Sequence, residues 1–162
     1  MTLLHVATLN IRNLADRWAE RLPLLLADFA ALQPDLLGLQ EVVYVLEQDR
    51  LIGAAGAGHY RATRTWAGRP EYGNSILTRD DLAISEPERL ELSHGRSAGR
   101  LLIEHDGLRV LFTNLHLHHE VPDDSIRDQQ VRVVLEWLAG GPASEIQVVV
   151  GDLFREDADY HF

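Results

Sequence analysis

The chain has 162 residues, no cysteine and no lysine, and a formal net charge of −10 at pH 7. This length suggests a single domain over 1–162, and the missing cysteines exclude disulfides and thiolate chemistry and favour the cytoplasm. The acidic charge weighs against duplex DNA as a partner without excluding it. We expect no transmembrane segment and no signal peptide, because the apolar runs are short and the first residues lack a basic region.

The first predicted unit has the order strand, helix, strand. Residues 3–10 predict a strand, and Asn13 predicts the cap of the helix that follows it. Apolar residues at spacings of three and four over 14–32 predict an amphipathic helix, which Pro23 weakens. Residues 36–42 predict a second strand, so this order favours a parallel pair of strands.

The rest of the chain alternates predicted strands with two further helices. The helices are predicted at 44–54 and from the Asp123-Asp124-Ser125 start to Leu138, and the strands at 60–66, 72–78, about 100–105, 108–117 and 146–150. Asp106-Gly107 lies between two alternating segments and predicts a hairpin turn. The apolar face of the last helix is predicted to comprise Ile126, Val133, Val134, Trp137 and Leu138. The pattern is that of an α/β domain with antiparallel hairpins.

Polar residues stand at the ends of several apolar strands, namely Asn10, Glu41, Asn114, His116 and Asp152. Ligands of open α/β sheets bind at the carboxyl ends of strands, where such residues converge. Asparagine and histidine bind phosphate oxygens, and carboxylates bind a hard cation or orient a water molecule. Each residue alone is more often a turn former, a solvated carboxylate or a core histidine, so the joint pattern carries the interpretation.

The tract His116-Leu117-His118-His119 raises a zinc site as an alternative. On a strand, His116 and His118 share a face and His119 points away. There is no cysteine and no HExxH pattern, so zinc ranks last, and His118 and His119 are expected to line the following loop.

In chain order, these pieces resemble the endonuclease/exonuclease/phosphatase superfamily of DNase I-like proteins. The matching segments are ATLNIRN with Asn10, PDLLGLQEV with Glu41, YGNSILTR with Asn74, TNLHLHH with Asn114 and His116, and VVVGDL with Asp152. The segments are collinear over residues 7–152, and the helix Ser125–Leu138 also looks like one of that family. The resemblance implies a four-layer α/β/β/α sandwich whose C-terminal part is missing.

The resemblance also implies hydrolysis of a phosphoester by water, assisted by Mg²⁺ or Mn²⁺. Glu41 would bind the metal, and Asn10 would help to position the metal or the phosphate. Asp152 would orient the attacking water or the phosphate, and His116 would act as a hydrogen-bond donor or general acid. The substrate is a phosphoester in a small molecule, a lipid headgroup or a nucleic acid, and the acidic charge favours the first two.

Supporting roles are implied for three further residues. Asn114 would complete the catalytic group, and Asn74 would support the site on the substrate side. Glu71 is a weaker candidate as the partner of His116, because a solvated loop carboxylate is its commoner role.

The sequence departs from the family pattern at its C-terminal end. The family usually reads GD-x-N where this chain has Phe154, and its later Ser-Asp-His segment has no match, since His161 lacks the preceding Asp. We therefore expect a truncated, impaired metal-dependent phosphoesterase. The alternatives are a catalytically dead module that binds a phosphate ligand, and a chain whose sheets a partner or a second copy completes.

Overall fold

Two β-sheets stacked face to face form the centre of this computed structural model, which describes residues 3–56, 59–119 and 124–153. In chain order the elements are β1 (Val6–Asn10), α1 (Trp18–Leu32), β2 (Leu36–Val43), a 3₁₀ turn (Tyr44–Leu46), α2 (Gln48–Ala54), β3 (Tyr60–Thr65), β4 (Tyr72–Arg79), β5 (Ala83–Ile84), β6 (Glu88–Leu92), β7 (Arg96–His105), β8 (Leu108–His116), α3 (Asp124–Ala139) and β9 (Ile146–Asp152).

Sheet A has the strand order β1-β2-β4-β3, and sheet B has the order β5-β7-β8-β9 with β6 paired to β7. The pair β1–β2 is parallel, as the strand–helix–strand order predicted. Strands β7 and β8 form the predicted hairpin around Asp106-Gly107. The pair β8–β9 is also parallel, because α3 carries the chain back between the two strands.

Three hydrophobic clusters separate four layers. Helices α1 and α2 cover the outer face of sheet A, where Phe29 and Ile52 pack on Leu37, Leu39 and Leu77. A second cluster fills the space between the sheets, and its fully buried members are Leu36, Ile76, Leu101, Ile103 and Phe112. Helix α3 covers sheet B through Val134 and Leu138. The predicted α/β/β/α sandwich is therefore confirmed. No described helix has the length and apolar character needed to cross a membrane.

The start of α1 differs from the prediction. Asn13 does not cap this helix, since α1 begins only at Trp18 after Arg17, which has a left-handed φ of 59° and no side-chain cap. Left-handed residues on both sides of Ala15 interrupt a helical path here. The Asn13 carboxamide instead accepts hydrogen bonds from the next two backbone amides and donates to Glu41.

Other differences concern sheet B and α3. Strands β5 and β6 were not predicted, and β7 begins at Arg96, about four residues before the predicted strand. Val133 is 37% exposed, although it was predicted on the apolar face. The buried Gln130 lies on the inner face instead, where it binds the backbone of His118 and Ser93. The predicted helix residue Asp123 and the tail 154–162 fall outside the described residues.

Strands β1 and β9 are the adjacent edges of the two sheets, and each pairs with one other described strand. Next to β9, an apolar groove of about 430 Å³ runs between α3 and sheet B, lined by Leu117, Val131, Leu135 and Val149. Exposed strand edges and apolar grooves favour pairing with further chain. The idea that a partner or second copy completes the sheets stays a prediction.

Candidate active site

The two parallel strand pairs bring their carboxyl ends together at one end of the sandwich. In sheet A Asn10 is level with Gln40, and in sheet B His116 is level with Asp152. The Asn10 amide donates hydrogen bonds to the Glu41 carboxylate at 3.1 Å and to the Asp152 carboxylate at 2.7 Å. One asparagine therefore joins two carboxylates that come from different sheets.

Glu41 lies in an irregularity of β2, where the pairing with β4 shifts between Leu39 and Val42. Its φ of 59° is left-handed, a conformation that costs a non-glycine residue on the order of 1–3 kcal/mol. Asn13 holds the second carboxylate oxygen at 2.7 Å. Among the described residues, Glu41 is bound by amide donors and forms no ion pair, so no described cation neutralises its negative charge.

Asp152 owes its position to the glycine before it. Gly151 has a φ of 146°, and a β-carbon there would lie 1.9 Å from the backbone oxygen of Leu115 on the neighbouring strand. Only glycine fits this conformation and this close approach. The Leu117 amide then donates to the Asp152 backbone oxygen at 3.1 Å, which ties the ends of β8 and β9 together. The Gly-Asp pair thus sets the direction in which the carboxylate leaves the strand.

His116 is buried beside these carboxylates, with 3% of its surface exposed. Nη1 of Arg96 lies 3.3 Å from its Nδ1 and 3.2 Å from its Nε2, and Nη2 lies 2.7 Å from Nδ1 of His119. Burial and then the Arg96 charge lower the pKa of His116 to about 4, although Asp152 and Glu41 act in the opposite direction. The His116 ring is therefore neutral at neutral pH.

Asn74 and Asn114 lie behind the site, between the two sheets. Asn114 is 1% exposed, donates to the backbone oxygens of Leu39 and Ser75, and accepts from Gln40 at 2.6 Å. Asn74 is 2% exposed and donates to the backbone and hydroxyl oxygens of Ser97. The side-chain nitrogens of both residues donate to oxygens of other strands, so the two amides connect the strands on which the site is built.

The exposed side chain of Glu71 forms no hydrogen bond or ion pair with His116 or with another described residue, and Arg96 lies beside the histidine instead. The His116 and His119 rings lie 6.0 Å apart, and those of His118 and His119 lie 6.3 Å apart. The described residues contain no group of three or more His, Asp or Glu side chains arranged to hold a metal ion. The zinc hypothesis is therefore not supported.

Two residues of the site were missed by the sequence analysis. Arg96 stands at the start of β7, in a segment that no predicted element included. Tyr72 begins β4, and burial followed by the Glu41 charge raises the pKa of its phenol to about 12. In the sequence Arg96 follows the glycine turn at Gly95 and Tyr72 begins the segment YGNSILTR, and neither position by itself indicates a site residue.

The donor set fits a hard divalent cation. Mg²⁺ is bound in proteins by one or two carboxylates, and its other positions are filled by water and phosphate oxygens. Glu41 and Asp152 supply two carboxylates at the same place, and Glu41 lacks a cationic partner among the described residues. A third protein carboxylate is not required for such an ion.

Comparison with solved structures shows the same fold. TDP2 of D. rerio, solved with a single-strand DNA product, has a TM-score of 0.75 and 22% identity over 96% of this chain and 62% of that chain. A mannosyl-6-phosphatase of Bacteroides thetaiotaomicron has a TM-score of 0.75 and 22% identity over 93% and 65%. The human Nocturnin catalytic domain, with bound sulfate, has a TM-score of 0.70 and 21% identity over 93% and 63%. No curated protein matches the sequence.

The chain thus spans less than two thirds of each of these structures. The sequence model of the endonuclease/exonuclease/phosphatase family matches residues 7–153, a range that includes every strand-end residue described above. Members of this superfamily are phosphoester hydrolases. The chain belongs to the endonuclease/exonuclease/phosphatase family.

Proposed function

We propose that this chain carries the metal-binding and water-activating part of a Mg²⁺- or Mn²⁺-dependent phosphoester hydrolase. The observation that carries the proposal is the Asn10 amide, which joins the Glu41 and Asp152 carboxylates beside His116. The names of similar structures, a mannosyl-6-phosphatase and a 2′,3′-cyclic phosphatase, support phosphoester chemistry.

Glu41 would be the main metal ligand, and Asp152, which Asn10 joins to Glu41, would share the ion or its water. A bound divalent cation supplies charge stabilisation for the phosphoryl oxygens and lowers the pKa of a bound water. Asn10 keeps the two carboxylates together and prevents each from turning away. The Asn10 carbonyl oxygen accepts from the backbone amide of Arg12, which fixes the orientation of the side-chain amide.

Asp152 orients the attacking water and accepts its proton. The His116 ring, neutral because of burial and the Arg96 charge, donates its one N–H to a phosphoryl oxygen. A group with a pKa of about 4 is a poor source of protons at neutral pH, so we assign His116 the role of hydrogen-bond donor instead of general acid. Arg96 adds positive charge on the same side.

Asn114 and Asn74 are assigned positioning roles. Asn114 holds Gln40, the residue before Glu41, and so supports the irregular part of β2. Asn74 fixes β4 to β7 next to Arg96 through Ser97. Direct contact with substrate is not expected for either buried amide, and both act through the strands that carry the reactive groups.

A phosphate-binding module without turnover is the second candidate. The feature that favours it is Phe154, which stands where the family pattern has an asparagine. This candidate predicts that the metal and the phosphate still bind at Glu41 and Asp152.

The test measures hydrolysis of bis(p-nitrophenyl) phosphate and p-nitrophenyl phosphate, with Mg²⁺, with Mn²⁺ and with EDTA. Wild type is compared with Glu41→Gln, which keeps the shape of the side chain and removes its charge. Glu71→Gln is the matched control, because Glu71 is an exposed carboxylate near the site without a partner in the described chain.

Turnover that needs metal, is lost in Glu41→Gln and is retained in Glu71→Gln supports the hydrolase. Folded wild-type protein without turnover, in which Mn²⁺ raises phosphate affinity through Glu41, supports the binding module. Measurable turnover at equal rates in wild type and Glu41→Gln would sink both candidates. Single-strand oligonucleotides and glycerophospho headgroups in the same assay identify the substrate source.

A further inference from the structure

A second cavity, of about 600 Å³, lies beside the proposed active site. We call it the Arg69 cavity: it is formed by the loop 67–69, by Tyr72 and by the turn 94–96. Two residues that line the cavity also belong to the site. The Glu41 charge raises the pKa of the Tyr72 phenol, and Arg96 contacts the His116 ring. The cavity and the strand-end residues therefore form one continuous region.

The charge of the Arg69 cavity is unusual for this protein. Arginines elsewhere in the described chain are generally paired with carboxylates, as in Arg64 with Asp49, Arg100 with Glu88 and Arg109 with Glu145. Arg69 and Arg96 have no carboxylate partner among the described residues, and Nε of Arg96 is buried without a hydrogen-bond partner. In a chain with a net charge of −10, the described residues thus leave two guanidinium groups at one cavity without a carboxylate partner.

Other cavities do not share this character. A larger one, of about 820 Å³, lies at the opposite end of sheet A, where its Arg61 is paired with Asp80. The groove beside α3 is lined mainly by aliphatic side chains. Uncompensated positive charge next to the strand-end residues is found in the Arg69 cavity and in neither of these two.

We propose that the Arg69 cavity binds a second phosphoryl group of the substrate, next to the phosphoester that is hydrolysed. The guanidinium fork of arginine matches the oxygens of a phosphoryl group and binds them through paired hydrogen bonds. The phenol of Tyr72 and the imidazole of His94 add further donors to the same space. The volume lies within the range of about 300–1,000 Å³ that small-molecule sites occupy, so more than a single phosphoryl group fits.

This inference rests on the proposed function for the position of the scissile phosphoester, but binding to the cavity does not require catalysis. Its first test is calorimetric titration of the whole chain with pyrophosphate in EDTA, with wild type, Arg69→Gln and Arg132→Gln. Arg132 is an exposed arginine of α3 that lines neither the cavity nor the site, so its variant is the control for loss of one charge. Arg69→Gln should weaken pyrophosphate binding about tenfold, and Arg132→Gln should leave it within about twofold.

Absence of pyrophosphate binding to the wild type, or equal weakening in both variants, would overturn the proposal. If the protein shows no turnover but still binds pyrophosphate through Arg69, the proposed hydrolase activity is wrong and the proposed phosphoryl subsite stands.

The second test compares thymidine 5′-(p-nitrophenyl phosphate) with its 3′-phosphorylated form in Mg²⁺. A gain in kcat/KM from the 3′-phosphate that Arg69→Gln abolishes assigns the second group to a nucleotide chain. If pyrophosphate binds but the 3′-phosphate gives no gain in kcat/KM, the second phosphoryl group belongs to a small bisphosphate.

Discussion

The Asn10 side-chain amide donates a 2.7 Å hydrogen bond to the carboxylate of Asp152, a residue 142 positions later in the chain. The same amide nitrogen donates to Glu41 at 3.1 Å. A single neutral donor therefore separates two negative charges that would otherwise repel each other.

Asn10→Asp should place a third carboxylate between the other two. In EDTA we expect the melting temperature to fall, by an amount equivalent to about 1–3 kcal/mol, because a donor is lost and a like charge is added. Mg²⁺ should restore more of the melting temperature in Asn10→Asp than in wild type. Thermal unfolding with and without Mg²⁺ measures both effects. An equal Mg²⁺ effect in the two proteins would mean that no cation binds at this cluster.

His116 should titrate well below its ordinary pKa of about 6.5, near 4. The folded state then binds fewer protons than the unfolded state between these values, so the free energy of unfolding should fall as pH drops from about 6.5 to about 4. His116→Gln should flatten this part of the stability curve. Denaturant unfolding across this pH range provides the measurement.

Arg96 should be the main charge that keeps His116 neutral. The groups that face the ring are Arg96, His119, Asp152 and Glu41, and the first two lower its pKa. Arg96→Gln should raise the pKa of His116, though not to its ordinary value, because burial is the largest cause and remains. NMR titration of the imidazole C–H resonances tests this. An unchanged pKa in Arg96→Gln would show that the Arg96 charge does not lower the pKa of His116.

Gly151→Ala should destabilise the fold and displace Asp152. The added β-carbon would meet the Leu115 backbone oxygen at 1.9 Å, and neither strand can move without breaking the β8–β9 pairing. We expect a loss of at least about 2–3 kcal/mol. Gly140→Ala is the control, since its β-carbon would lie an ordinary 3.6 Å from the nearest atom. Chemical denaturation compares the two, and similar costs would count against the strand contact.

Arg64→Gln should be strongly destabilising although it lies away from the site. Arg64 donates 2.8 and 2.7 Å hydrogen bonds to Asp49, a fully buried carboxylate that also accepts from Ser75. Removal of one partner leaves a buried charge, and we expect a cost of about 3–5 kcal/mol. Arg109→Gln breaks a solvent-exposed pair with Glu145 and should cost far less, because water screens this interaction. Urea unfolding of both variants tests the contrast.

Self-association through the adjacent edges β1 and β9 would follow if a second copy completes the sheets. Light scattering after gel filtration should then show a dimer whose fraction rises with protein concentration. Val149 is 40% exposed on β9, and Val149→Glu should lower that fraction by introducing a charge beside the edge. A monomer at all concentrations would exclude this form of completion.

The four-layer class, the parallel pair β1–β2, the hairpin at Asp106-Gly107 and the strand-end positions of Asn10, His116 and Asp152 could be predicted from the sequence. Glu41 was predicted to end its strand but lies in the irregular part of β2, two residues before Val43. The alternation of apolar and polar residues, the turn residues and the family motifs each involve neighbouring positions of the chain, so they can be recognised in the sequence. Three other features could be seen only in the folded chain: Arg96 lies against His116, Asn114 and Asn74 lie between the sheets, and Arg69 shares a cavity with Arg96. Such relations depend on strand register and on loop paths between distant segments, which no local pattern specifies.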